Sequence, residues 1–330
     1  MKDNGLLVQY FNANTPADQT LWAKAAKDAV TLKKIGATAV WFPPATKGAA
    51  GKEDMGYAPY DLYDLGEFNQ KGSVGTRYGT KKEYLEAIDA MKVQGINVYA
   101  DIAVRQKLGA DSVEKVTAAD FNAKDIPQMI GNKKIVGALS KFTFAGRRSK
   151  YSKFKWNWNH FAGIDWQQDD FKKRVCELSG MTEEEAEKKY KLSKYDYIIG
   201  SELDLYNQEV YDELMTWAKW YEDVTGVDGF RFQEAEKVPG WFIRDFAEAA
   251  SNAGEEEKEI FTVGDFWHWR CDYINDYIAS ADNQPSMFDV PLHFSFHDAS
   301  VAEGEYDLSR LLDGSMMMSS SDLLPCSRVV

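Results

Sequence analysis

Short runs rich in β-branched and aromatic residues alternate with longer segments at helical spacing, and that alternation confines the chain to a mostly parallel α/β architecture. Leu6–Phe11 reads as a first strand, Leu21–Ile35 as an amphipathic helix, and Ala37–Phe42 as a second strand halted by Pro43-Pro44. A long loop rich in Gly, Tyr and Asp runs to about Thr80, followed by a helix at Lys81–Val93 and a third strand at Ile96–Val104. Further on, the pattern predicts a helix over Glu209–Val224, a strand over Val227–Phe232, a helix over Trp241–Ala250 and a strand over Ile260–Phe266. Tyr273–Ser280 reads as a helix, Met287–Pro291 as a sixth strand and Leu308–Leu312 as a short helix.

Between Arg105 and about Asp204 the alternation stops. This stretch carries an aromatic cluster, Phe154-Lys-Trp-Asn-Trp-Asn-His-Phe161. It also carries a charged segment, Met181–Lys191, that reads as a helix with Thr182 as N-cap and Glu183–Glu185 in its first turn. A connection this long inside a compact domain has structure of its own, so we read it as a subdomain inserted after the third strand. The expected division is barrel-type units 1–3 in residues 1–104, the insertion in 105–204, units 4–6 in 205–314 and an irregular tail in 315–330. These are six strand–helix units, where a closed (β/α)₈ barrel has eight. The expected fold class is therefore α/β, an incomplete TIM-type barrel.

The 44% hydrophobic fraction is that of a folded globule, and a net charge of −13 argues against nucleic acid as a partner while leaving neutral ligands open. The N-terminus has no signal-type apolar run, and no stretch approaches a membrane span. Three dispersed cysteines, Cys176, Cys271 and Cys326, suit reduced thiols, and a cytoplasmic setting is expected. His160, His268, His293 and His297 have no metal-type spacing, and no nucleophile elbow, Walker loop, dinucleotide fingerprint or zinc motif is present. Many of the ten Trp and seventeen Tyr belong to a large core, and composition alone cannot say which of them face a ligand.

Specific signals lie in three places. The long loop reads Asp54-Met-Gly56-Tyr57-Ala-Pro-Tyr-Asp-Leu-Tyr-Asp-Leu-Gly66-Glu-Phe-Asn-Gln-Lys-Gly72 and continues Thr76-Arg-Tyr-Gly-Thr-Lys81. Two strand ends read Asp228-Gly-Phe-Arg-Phe-Gln233 and Phe261-Thr-Val-Gly-Asp265-Phe-Trp267. In these segments the chain resembles the α-amylases of glycoside hydrolase family 13, and is most similar to liquefying-type bacterial and intracellular members. The resemblance extends from Gln9 to about Gly314 and implies a (β/α)₈ ancestor that hydrolysed internal α-1,4 bonds of starch or glycogen with retention.

A retaining glycosidase needs a carboxylate nucleophile and a carboxylic acid about 5–5.5 Å apart, on opposite sides of the glycosidic carbon. The resemblance places Gln233 at the nucleophile position, where an amide has no anionic oxygen to attack with. Glu234 is adjacent, but strand alternation predicts that it aims away from the substrate. At the general-acid position stands Asp265, a carboxyl shortened by one methylene; its plainer reading is a polar strand-end residue or a sugar hydrogen-bonder. The family's third acid, in a Phe-Val-Asp-Asn-His-Asp run, has no counterpart in this sequence. Tyr57 matches a sugar-stacking tyrosine, Arg231 the arginine that positions the nucleophile, and Trp267 an aromatic beside the cleft; plain packing is an equal reading for Tyr57.

The family's structural calcium draws its ligands from positions that here are Arg105, Ala162, Glu202, Asp204 and Lys237. Ca²⁺ takes six to eight oxygens, so this set predicts a lost site and no cofactor. Arg105 is expected either beside Glu202 and Asp204, substituting for the ion's charge, or simply in water. Three functional readings stay open from the residues. One is a catalytically inactive relative that binds α-glucan or a protein; one is a working retaining endo-hydrolase; one is a truncated relic without a selected role.

Overall fold

The computed structural model describes residues 5–122, 128–167, 172–177, 200–254, 258–302 and 304–318. Six parallel strands form one sheet: β1 (Leu7–Gln9), β2 (Ala39–Phe42), β3 (Asn97–Ile102), β4 (Gly229–Phe232), β5 (Phe261–Gly264) and β6 (Ser286–Met287). Their spatial order is their order in the chain, which is how a TIM-type barrel is laid down one unit at a time. The sheet curls: Phe288, just past β6, brings its ring centroid within 5.7 Å of that of Trp41 on β2. It does not close, and among the described residues β1 and β6 are its two edges. The fold is thus an incomplete (β/α)₈ barrel.

Helices cover the outside: α1 (Leu21–Lys34), α2 (Lys81–Val93), α3 (Gln208–Thr225), α4 (Gly240–Ser251), α5 (Cys271–Ser280) and α6 (Val290–Val301). Trp22, Ala25, Ala29 and Leu32 recur at helical spacing on α1 and are all buried. Trp22 packs against Phe42, Tyr78 and Tyr84, tying α1 to β2, the long loop and α2. A capping box starts α2, with Thr80 accepting from the Glu83 backbone and Glu83 accepting from that of Thr80. Asn207 caps α3, and Gly226 ends it at a φ of 63°, where a side chain would be strained.

After β3 the chain leaves the barrel through Gln106–Lys107 and returns through Ser201–Leu203, and these two short strands pair with each other. Between them Ser112–Asn122, Gln128–Lys141, Phe161–Gln167 and Lys172–Glu177 form an antiparallel sheet. The aromatic cluster seen in the sequence supplies its core, with Trp156 and Phe161 buried against Phe142.

Two expectations need correction. The sixth strand is Ser286–Met287 alone, and Val290 and Pro291 begin α6 instead. Asp289 caps that helix by accepting from the Leu292 N–H at 3.0 Å, and Pro291 sits in its first turn, where a missing N–H costs nothing. Leu308–Leu312 is shorter than expected, a single 3₁₀ turn at Leu308–Arg310. The charged segment Met181–Lys191 lies outside the described residues.

Candidate active-site cleft

Strand register puts the site together. Arg231 on β4 lies directly beside Asp101 on β3 and Val263 on β5, and Phe232 beside Gly264, so Asp265 emerges two residues past the neighbour of Arg231. Arg231 Nη1 donates to both oxygens of Asp101, at 3.0 and 3.1 Å, while Nη2 donates to Asp265 Oδ2. Its guanidinium carbon sits 4.6 Å from the ring centroid of Trp41. Tyr57 reaches in from the long loop and donates to Asp101 Oδ2 at 2.6 Å. Gln106 Nε2 holds the Tyr57 carbonyl at 3.0 Å, so a side chain at the entrance to the insertion fixes the loop over the sheet.

Electrostatically this is one cation between two carboxylates, all three buried. Burial pushes the Asp101 carboxyl up from its ordinary value, opposed by Arg231 and by the Tyr57 hydroxyl. Burial likewise raises Asp265, with Arg231 pulling down and Asp101 pushing up, and leaves it at about 6. Burial works against the Arg231 charge, but Asp101 and Asp265 more than offset that and hold it protonated. The Tyr57 phenol is raised by burial and by its carboxylate acceptor, so it donates throughout the accessible pH range.

Gln233 and Glu234 form the turn that follows β4. Gln233 is half-buried, with its backbone N–H on the Ile102 carbonyl at 3.4 Å. The alternation rule does not govern Glu234, because the strand has ended at Phe232 and Glu234 takes a left-handed conformation, φ 49°. Its backbone N–H donates to Asp265 Oδ1 at 2.6 Å, and its carboxylate turns toward Arg105 and Lys237. Both oxygens of Asp265 are therefore engaged, one by Arg231 and one by the Glu234 N–H.

Of the residues singled out from the sequence, Tyr57, Arg231 and Asp265 belong to one hydrogen-bonded network, with Gln233 at the adjoining turn. Trp267 is 54% exposed, yet its side chain hydrogen-bonds Asp265 while its ring lies edge-on to His293 and Phe294. Arg105 is buried, 3.8 Å from Glu202 and 3.1 Å from Glu234. Sequence reasoning missed Asp101, the acceptor that joins Tyr57 to Arg231. Its signal was a carboxylate inside the apolar run Val98-Tyr-Ala-Asp101-Ile-Ala-Val104, a place where an unpaired charge would be prohibitive.

No family model matches the chain. It is 40% identical over 322 residues to an α-amylase of Geobacillus stearothermophilus, a match covering 97% of this chain and 58% of that one. To an α-amylase of Bacillus licheniformis it is 38% identical, over 95% of this chain and 60% of the relative. To the cytoplasmic α-amylase of Escherichia coli it is 35% identical, over 95% of this chain and 64% of the relative. The chain thus spans about three-fifths of the length of the curated relatives it matches. Among solved structures, an α-amylase of Geobacillus thermoleovorans superposes with a TM-score of 0.52 at 17% identity, covering 88% of this chain and 52% of that one. One from Malbranchea cinnamomea gives 0.51 at 15% identity, covering 89% and 53%. Identity along nearly the whole of this chain, together with the curled parallel sheet, establishes that the chain belongs to the α-amylase family, family 13 of the glycoside hydrolases.

Proposed function

We propose that this chain binds α-1,4-glucan in the cleft above β3, β4 and β5 and does not hydrolyse it. One observation carries the reading: the turn after β4 presents the neutral amide of Gln233, while the neighbouring carboxyl, Asp265, has both oxygens committed to Arg231 and the Glu234 N–H. A retaining mechanism needs an anion that attacks and an acid free to protonate the leaving oxygen. Gln233 supplies no anion, and Asp265 would have to give up a charge-assisted hydrogen bond to act. Tyr57 and the exposed ring of Trp267 offer surfaces on which a sugar face can stack. A cytosolic setting goes with this reading, supported by the name of the Escherichia coli relative and by the dispersed cysteines.

A second reading, retained hydrolysis, draws on Asp265: a carboxyl that titrates at about 6 is within the range of a general acid. Incubation with soluble starch and with an end-blocked maltooligosaccharide separates the two. The unmodified protein is expected to release no reducing ends while co-sedimenting with glycogen, and Tyr57→Ala is expected to lose that co-sedimentation. Turnover by the unmodified protein overturns the binding reading, and turnover only in Gln233→Asp with Asp265→Glu supports it.

A further inference from the structure

The calcium implied by the family resemblance does not fit the residues that stand in its place. Ala162 contributes only a methyl group, Arg105 presents a guanidinium at 4% exposure, and Lys237 brings an ammonium. A divalent cation wants six to eight oxygens and would be repelled by both of these charges.

We propose that Arg105 and Lys237, bridged by Glu234, take the place of that cation and form a metal-free lock between the barrel and the inserted sheet. Three chain segments meet there. Arg105, just past β3, points Nη1 at Glu202 Oε1 on the returning strand, 3.8 Å away, and donates through Nη2 to Glu234 Oε2 at 3.1 Å. Glu234, in the turn after β4, accepts from Lys237 Nζ on its other oxygen at 2.5 Å. The Arg105 carbonyl accepts from the Leu203 N–H at 2.7 Å, so main chain and side chain of one residue grip the same strand. A metal ion crosslinks such segments by collecting their oxygens; here a planar guanidinium does so with directed donors.

The backbone of Glu234 supports the assignment. A left-handed glutamate is a strained conformation that persists only where its surroundings over-determine it. Here the side chain is held by two cations and the N–H by Asp265, so the strained residue ties the lock to the cleft. The lock is independent of whether the cleft cleaves or only binds glucan.

Thermal melts test it without any glucan. The unmodified protein is expected to melt at the same temperature in millimolar calcium chloride and in EDTA. Arg105→Gln is expected to lower the melting temperature by about 5 °C or more, since it takes one buried cation away from both Glu202 and Glu234. Glu234→Gln should cost less in the Arg105→Gln background than alone, because the two side chains share one interaction. Calcium raising the melting temperature of the unmodified protein overturns the proposal, as does strict additivity of the two substitutions. Should Arg105→Gln not fold, Arg105→Lys decides: a folded variant still indifferent to calcium supports the lock, and one that gains stability from calcium overturns it.

Discussion

Asp101 accepts from the Tyr57 hydroxyl at 2.6 Å with the same carboxylate that grips Arg231, so the long loop and two barrel strands meet on one buried group. Asp101→Asn keeps the shape and removes the charge. It leaves Arg231 buried with Asp265 as its remaining carboxylate partner, and the expected cost is about 3–5 kcal/mol in urea denaturation. Tyr57→Phe should cost about 1–2 kcal/mol, for a buried acceptor left short of a donor. The double variant should cost less than the sum, because both substitutions act on the same carboxylate.

Trp267 is 54% exposed and contributes little to the core. Trp267→Ala is expected to lower unfolding free energy by only about 1 kcal/mol, the worth of one hydrogen bond, here to Asp265. Retention on immobilised glycogen should nevertheless fall. Equal retention by the variant would remove Trp267 from the binding surface and leave Tyr57 to account for it.

The sheet was legible because buried parallel strands write themselves as short apolar runs, and each of the six barrel strands overlaps a run picked from the sequence. α6 was not, because its sequence, Val290-Pro-Leu-His-Phe-Ser-Phe-His-Asp-Ala-Ser-Val301, has no apolar stripe and buries only Val290 and Pro291. What organises it is local, the Asp289 cap and the proline in its first turn. In the site, positions could be read but partners could not. Arg231 and Asp265 lie 34 residues apart, and only strand register brings them together. Glu234 misled the alternation rule because the rule holds inside a strand, and the left-handed turn that ends this strand leaves no mark in the sequence.

Glu236 is a largely buried carboxyl whose Oε2 has no hydrogen-bond partner among the described residues. Burial pushes it up from 4.5 to about 7. The folded state therefore binds the proton more tightly than the unfolded chain between these values. Its contribution is fully present below about pH 4.5 and is lost as pH rises through about 7. Glu236→Gln should remove that part of the decline and leave the protein more stable than the unmodified chain at pH 8, by roughly 1–2 kcal/mol after allowing for partial exposure. Parallel urea titrations from pH 5 to about pH 8 check it, and superimposable curves would show that Glu236 finds water in solution.

Lys107 carries the opposite sign. Its ammonium is buried with no hydrogen-bond partner among the described residues, boxed by Phe142, Phe144 and Trp156 with ring centroids 5.2–5.7 Å away. Burial lowers it from 10.5 to about 7, with Asp61 and Glu213 pulling up and Arg147 pushing down. The unfolded chain thus holds the proton more tightly, so stability rises with pH from about 7 to 10.5, and below 7 the full penalty applies. Lys107→Met keeps nearly the same volume and removes the charge. The neighbouring carboxylates keep partners without it: Asp61 accepts from Arg147 and Gln70, and Glu213 accepts from Ser152. The variant is expected to be more stable at pH 6 by about 1–3 kcal/mol and to lose the gain in stability between neutral and alkaline pH. A variant less stable than the unmodified protein at pH 6 would mean that the attraction of three rings and two carboxylates outweighs the cost of burying the ammonium.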